Sequence, residues 1–390
     1  MLGLEVVKVL IQAAVESGSE ESLHELVDWA MSNPNPEESV LVLELFDVLR
    51  SQGALLQLQM LAYSQSAPAL VSGARQKLEE ISQNRGLRVW ELEDLIVPTC
   101  GLETQEEYPF EIQGRAYQLR LGTELEPLFV DSEGKFISPA DQVLSPEVQR
   151  VIDDLADVLP TQILRLEMAL GMEQRWRAKH WAEHVLGHPV LVHLVQRLIW
   201  GVFSESGRLL ETFRVSEEGE LSDVNDKPLE VAEDHFIGAL HPVNVSSEVL
   251  QGWNATLADY EIPTLCPQLD RPVFTYEPEL AKAHSLTIGS DVFGNGTPRS
   301  WVVSGLLSRG WQLRDSYYGA TYTKIFRHSD VMAQAQLSNS GEMVDSTSLT
   351  FQRFLGHPRH NFQFRDLNPL VYSEAILDLR QVTDGYRRSR

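Results

Sequence analysis

The sequence predicts an α+β protein: helices first, in an array resembling HEAT or armadillo repeats, then a mixed region of helices and short antiparallel strands. Three observations carry this. Apolar residues recur with helical spacing up to about residue 85, the period switches to strict alternation after Tyr108, and both patterns return in short segments thereafter.

The first 85 residues read as five amphipathic helices. These span about Leu4–Glu16, Glu20–Met31, Glu37–Arg50, Ala54–Tyr63 and Pro68–Asn84, with stops at Gly18, Asn33-Pro34, Gly53 and Gly86. In the third, Leu41, Val42, Leu45, Val48 and Leu49 make an apolar stripe opposite Glu37, Glu44 and Asp47. Helix pairs recurring every 35–40 residues suit a HEAT-like stack, although without a strict repeat an irregular bundle fits equally. An array with a free N-terminal edge invites further repeats, so the chain reads as the C-terminal part of something longer.

From Tyr108 the alternation of Ala116, Gln118 and Arg120 with Tyr117, Leu119 and Leu121, followed by Leu128–Val130, gives a small antiparallel unit. A helix over 147–170 follows, with Pro160 expected to kink or divide it. The next helix runs to about Leu186 and stops at Gly187. Another starts at Pro189, and Ile199–Phe203 with Leu209–Val215 form a meander. Ser246 or Ser247 caps a helix carrying Val249, Leu250, Trp253 and Leu257. Towards the C-terminus, Pro298–Arg309 and Pro369–Leu379 read as helices, and Thr321–Arg327, Met332–Leu337 and Leu349–Phe354 as strands. Arg387, Arg388 and Arg390 read as a frayed tail. The division is 1–86, a helical-repeat region, and 87–390, an α+β region with a subdivision open near 140–200.

A hydrophobic content of 43% over 390 residues supports substantial cores, and no window reaches the apolar length of a membrane span. The opening Met-Leu-Gly-Leu-Glu-Val-Val-Lys lacks the pattern of a signal peptide, and Cys100 and Cys266 are too far apart in sequence to suggest a disulfide framework. A cytoplasmic protein is expected. The net charge of −24 opposes sequence-independent nucleic-acid binding and favours a partner with a basic surface. The small clusters Arg165, Arg175, Arg177, Lys179 and Arg353, Arg359, Arg365 read as solvated faces.

Candidate chemistry concentrates in His180-Trp-Ala-Glu183-His184, the H-x-x-E-H order of inverted zinc peptidases. Two imidazoles four residues apart share a helix face, and Glu183 would serve as base for a metal-bound water. No third ligand announces itself, and both histidines also fit as polar helix residues. His188 and His193 suit capping or packing. Gly289–Thr297 has the glycine spacing of a phosphate loop without its Lys-Ser/Thr, and reads as a turn. Pro267-Gln268-Leu269-Asp270-Arg271-Pro272 is a stiffened loop displaying an amide, a carboxylate and a guanidinium. With His241 it is the candidate ligand or partner site, and the alternative is a loop anchored to its own domain. Trp176, Trp181, Trp200, Trp253, Trp301 and Trp311 are assigned to the core.

Several phrases recur in order: Arg85-Gly-Leu, Ile163–Glu167, Arg175-Trp176, His188-Pro189, Leu198–Gly201, Thr212–Val215, His241-Pro242, Pro267–Pro272 and Gly305–Trp311. Together, over roughly 70–380, they resemble a bacterial domain of unknown function found at the C-terminus of proteins similar to the molybdate-metabolism regulator (MolR-like), many with an upstream WGR module. The resemblance implies no established reaction or cofactor. It implies association with helical repeats, with WGR modules that recognise DNA elsewhere, and with AAA ATPases of the MoxR type. Arg309-Gly-Trp311 is not itself a WGR module, since the residue order differs. The expected function is a non-enzymatic interaction or regulatory module. The alternatives are a zinc-dependent hydrolase using His180, Glu183 and His184, and a nucleic-acid-associated regulator acting through an absent WGR module.

Overall fold

A computed structural model describes residues 8–9, 11–13, 20–33, 40–49, 51–64, 68–102, 108–138, 143–294, 296–316, 319–338, 341–354 and 361–388. The protein is mixed α+β, and every strand pairing among the described residues is antiparallel. Helices α1 (Glu20–Ser32), α2 (Gln52–Tyr63), α3 (Pro68–Asn84) and α4 (Val89–Ile96) come first. Strands β1 (Tyr108–Ile112), β2 (Arg115–Leu121), β3 (Pro127–Asp131) and β4 (Phe136–Ile137) form a four-stranded meander.

Helix α5 (Pro146–Gly171) leads to β5 (Trp176–Arg177), α6 (Ala178–Trp181) with a π-turn over Ala182–Leu186, and α7 (Leu191–Val195). Then come β6 (Trp200–Phe203), β7 (Leu209–Val215), β8 (Leu221–Ser222), β9 (Phe236–Ala239) and α8 (Ser247–Asp259). The C-terminal part holds β10 (Ser285–Ile288), β11 (Thr297–Pro298), α9 (Arg299–Ser308), β12 (Gln312–Ser316), β13 (Gly319–Phe326), β14 (Val331–Leu337), β15 (Met343–Val344), β16 (Thr347–Arg353) and α10 (Pro369–Arg388).

The chain folds as two compact units. One comprises 1–89, 168–174 and 272–390, and the other comprises 90–167 and 175–271. In the first, β10, β16, β14, β13 and β12 lie side by side in that order, with β14 at the centre. Val331, Met332, Ala333, Ala335 and Leu337 of β14 are all buried, so this strand has apolar contacts on both faces. Helix α10 accounts for one of them, because it buries every residue from Leu370 to Leu379. Helix α3 ends at Gly86, whose φ of +69° favours glycine, and the Leu87 N–H donates to Ser82 O at 2.9 Å. Arg309-Gly-Trp311 closes α9 in the same way: Gly310 has φ +88° and the Trp311 N–H donates to Leu306 O at 3.1 Å.

In the second unit the sheet order is β5-β9-β6-β7-β8. Strand β6 is buried throughout, and its Gly201 is closely packed: a Cβ there would lie 2.8 Å from both Leu209 and the Phe203 ring, so a side chain at 201 would have to displace them. Trp200 is packed edge-on by Trp176 and Trp181, at centroid distances of 6.0 and 5.2 Å. Trp253 and Leu257 of α8 join Ile199, Leu240 and Leu269 in a core cluster, each large side chain contributing roughly 1.5–3 kcal/mol by burial.

Several expectations need correction. Helix α5 runs through Pro160 as one element and is not divided. Arg387 and Arg388 belong to α10, and Arg387 donates to Val292 O at 2.7 Å, so neither is a frayed tail; 389–390 lie outside the described residues. Trp301 is 40% exposed, whereas the other five tryptophans assigned to the core are buried. Arg165 and Arg175 are buried as well, so of the first basic cluster only Arg177 and Lys179 belong to a solvated face. Of the first proposed helix only 8–9 and 11–13 are described, and they are helical; of the third, 40–49 are described, and it is shorter than expected, a 3-10 turn over Val42–Glu44 leading into a helix over Leu45–Val48.

Candidate functional site

Within the second unit the chemistry-bearing residues converge on Asp94. Helix α4 has an apolar face of Trp90, Leu92 and Ile96, and it takes Asp94 into the interior with them. A carboxylate there needs partners, and three elements supply them. Arg165 of α5 donates from Nη1 to Oδ1 at 2.5 Å and from Nε to Gln162 Oε1 at 2.7 Å. Trp176 of β5 donates its indole N–H to Oδ2 at 2.8 Å, and His180 of α6 reaches the same oxygen through Nε2 at 2.9 Å.

Because Asp94 Oδ2 is an acceptor, His180 Nε2 donates in this pairing, which leaves Nδ1 as the ring nitrogen not engaged by Asp94. Asp94 and Arg165 have no exposed side-chain surface, whereas His180 is partly open, so the imidazole is the outward end of a buried chain. The His184 ring lies 4.7 Å from that of His180, centroid to centroid, and its Nε2 is 3.9 Å from Glu183. The motif thus pairs its histidines on one face, as the spacing requires, but the π-turn begins at Ala182, and His180 Nε2 is committed to Asp94. Among the described residues no group of three or more His, Cys, Asp or Glu is arranged to hold a metal.

The neighbouring histidines cap and pack. His188 Nδ1 accepts from the N–H groups of Val190 and Leu191 at 3.2 and 3.3 Å, and its Nε2 donates to Val97 O at 3.1 Å. Burial pushes its pKa down. Burial also takes His193 from 6.5 to about 4, with the nearby Arg197 guanidinium adding to the shift. A lowered pKa means that the unfolded chain binds the proton first. The stabilisation is whole above pH 6.5 and is lost as pH falls towards 4, amounting to about 3 kcal/mol. Urea midpoints of wild type and His193→Gln should therefore converge between pH 7.5 and 4.5; parallel pH profiles would refute the assignment.

The proline-flanked loop is anchored to its own unit. Gln268 is 2% exposed; its Oε1 accepts from the Ile199 N–H at 2.9 Å, and its Nε2 donates to Ile199 O and Leu240 O at 2.7 and 2.9 Å. This amide ties the residue before β6 to the residue after β9. Arg271 lies 3.6 Å from Glu167, and His241 is buried, its Nδ1 accepting from the Val243 N–H at 3.1 Å. Asp270 alone of the four faces solvent. Gln268→Ala should cost about 2–4 kcal/mol, since it takes the partner from the Ile199 N–H and the Leu240 carbonyl, whereas Ile199 O keeps the Leu240 N–H. A shift in the denaturation midpoint worth under 1 kcal/mol would show that water replaces the amide.

Sequence reasoning missed Asp94 and Arg165. The available signal was a carboxylate on the apolar side of α4 and an arginine among Ile163, Leu164 and Leu166. Both cysteines are free and buried, and burial raises their thiols to about 12, which leaves them without nucleophilic character at neutral pH.

With this geometry in place, residues 135–311 match the model of a domain of unknown function, DUF4132. The matched span covers β4 to Trp311 and includes Arg165, Trp176, His180 and Gln268. The chain is also similar to the uncharacterized protein YehI of Escherichia coli, being 29% identical over 286 residues. That similarity covers 69% of this chain and 24% of the relative, so the chain spans about a quarter of the curated protein it matches. No solved structure matches.

Proposed function

We propose that the chain is a non-enzymatic interaction or regulatory module of a bacterial MolR-like protein, acting in the cytoplasm on a protein partner. Charge distribution is the observation that carries this reading. The unit of 90–167 and 175–271 holds 32 Asp and Glu against 13 Lys and Arg, a net −19, while the rest of the chain holds 24 against 19, a net −5. Such a surface attracts a basic protein and repels phosphate backbones. Asp153, Asp154 and Asp157 on the exposed side of α5 illustrate it: they lie close enough to raise the pKa of Asp154, after the effect of its partial burial.

The chemically distinctive side chains support the same reading. Asp94, Arg165, Trp176 and Gln268 spend their donors and acceptors inside the unit. Helices α2 and α3 are a pair of the kind that a HEAT-like stack repeats, and the proposal places partner contacts there as well as on the acidic surface. Family resemblance nominates a MoxR-type AAA ATPase as partner, and an upstream WGR module as the part that would touch DNA.

The test is direct binding of the purified chain to a MoxR-type AAA ATPase by calorimetry at 50 and 300 mM salt. Binding that weakens with salt supports the proposal, and no binding at either concentration removes that partner. Retention of this chain alone on duplex DNA at moderate salt would favour the nucleic-acid reading instead. Near-stoichiometric zinc, lost in a His180→Ala/His184→Ala variant, would favour the hydrolase.

A further inference from the structure

The acidity of the chain reverses locally. Residues 272–390 hold 13 Lys and Arg against 11 Asp and Glu, a net +2 in a protein of net −24. Within this part lies an open groove of about 530 Å³ lined by His284, Arg353, Asn361, Phe362, Gln363, Arg365 and Asp366.

Its floor is rigid. The segment after 360 is stitched to the end of β16 by the Phe362 N–H to Phe351 O at 2.8 Å, and by Gln352 Nε2 to Asn361 Oδ1 at 2.8 Å. On the other side the N–H groups of Phe364 and Arg365 donate to Ala283 O and Ala281 O at 3.1 and 3.0 Å, and His284 Nδ1 donates to Asn361 O at 3.0 Å. Two guanidiniums stand on this frame. Arg353 Nε is 3.9 Å from Asp330 and Arg365 Nε is 3.8 Å from Asp366, both beyond hydrogen-bond distance, and all but Asp330 are at least half exposed. Solvent-screened pairs of this kind contribute little to stability, so the fold gains almost nothing from holding the two cations there.

We infer that the groove is a binding site for a phosphomonoester, with Arg353 and Arg365 clamping the dianion and Phe362 as an apolar wall for the attached group. The guanidiniums present planar forks to the dianion's oxygens, and the phosphate competes for them with the loosely placed Asp330 and Asp366 carboxylates. The volume is that of a small-molecule site and exceeds what a bare phosphate needs. Binding here is independent of the partner reading and involves a different unit from the acidic surface.

The experiment titrates the full chain with inorganic phosphate and with glucose 6-phosphate, followed by phosphorus NMR line width and calorimetry. Expected is saturable binding, tighter for the ester, that falls tenfold or more in Arg353→Met/Arg365→Met and is unchanged in Arg120→Met, an exposed control outside the groove. These surface changes leave the core intact, which far-ultraviolet circular dichroism checks. Absence of binding to either ligand would overturn the inference. So would equal affinity in the double variant and wild type, since the anion would then be held elsewhere.

Discussion

Asp94→Ala is expected to destabilise the unit of 90–167 and 175–271 by about 3–5 kcal/mol, the range for a buried ion pair that loses one partner. The substitution removes little volume. Its effect comes from what remains: Arg165, fully buried, loses its carboxylate, while the indole N–H of Trp176 and Nε2 of His180 lose their acceptor. Asp94→Asn should cost less, because one carbonyl oxygen survives to accept from Arg165 or Trp176. Arg165→Met in the Asp94→Ala background should recover part of the loss, because it deletes the stranded charge. Equilibrium urea unfolding of the three variants measures this ordering. A loss below about 1 kcal/mol for Asp94→Ala would mean that water enters and hydrates Arg165, and that the site is wetter than its burial indicates.

The same variant bears on function. His180 is the outward end of the chain that begins at Arg165, and Asp94 fixes both its orientation and its tautomer. A hydrolase that used His180 would lose activity in Asp94→Asn even where the fold survives. An interaction module would keep its partner affinity in Asp94→Asn, because the acidic residues that attract the partner are elsewhere on the surface.

Periodicity located most of the described elements to within a few residues, because the signal that sets it, apolar side chains on one face, is local. Strands around Trp200, Phe213 and Ala333 and the helices at 68–84 and 247–259 all stood out this way. What periodicity does not carry is the pairing of distant segments. Nothing near residue 90 announces that it shares a unit with 175–271, or that 1–89 shares one with 272–390. The same limit governed the site. The histidine spacing was legible, but a buried partner for His180 sits 86 residues upstream, and a lone Asp in an amphipathic helix looks like any solvated carboxylate until the helix is docked. Expectations for charged residues divided: Arg165 and Arg175 are interior although read as solvated, whereas Arg353 and Arg365 are exposed as read. The phrases that carried the family resemblance fall largely on internal bonds: Arg165 to Asp94, the His188 cap, Thr212 to Trp253, Arg214 to Asp226 and Gln268 to Ile199. They mark how the fold is tied together, which explains why the resemblance conveys architecture more readily than activity.

A second buried carboxylate repeats this arrangement in the other unit and gives the second large effect. Asp378 of α10 accepts at Oδ2 from Lys324 Nζ of β13 and from the Trp311 indole N–H, both at 2.8 Å, and Lys324 and Asp378 are each 3% exposed in their side chains. Lys324→Met keeps the aliphatic stem and deletes the ammonium, so its cost isolates the charge. About 3–5 kcal/mol is expected, because Asp378 remains in the interior with only an indole donor identified in the pair's place. Adding Asp378→Leu removes the stranded carboxylate and should recover much of that loss. Recovery stays incomplete because the Trp311 N–H is then left without its acceptor, a deficit of roughly 1–3 kcal/mol. Trp311→Phe in the double variant deletes that donor as well but leaves a cavity where the fully buried indole stood, so it should bring no further gain. A double variant more stable than the single one is the signature of a carboxylate that is needed only because its lysine is present. A double variant no more stable than Lys324→Met alone would show instead that Asp378 is neutral or hydrated once its lysine is gone.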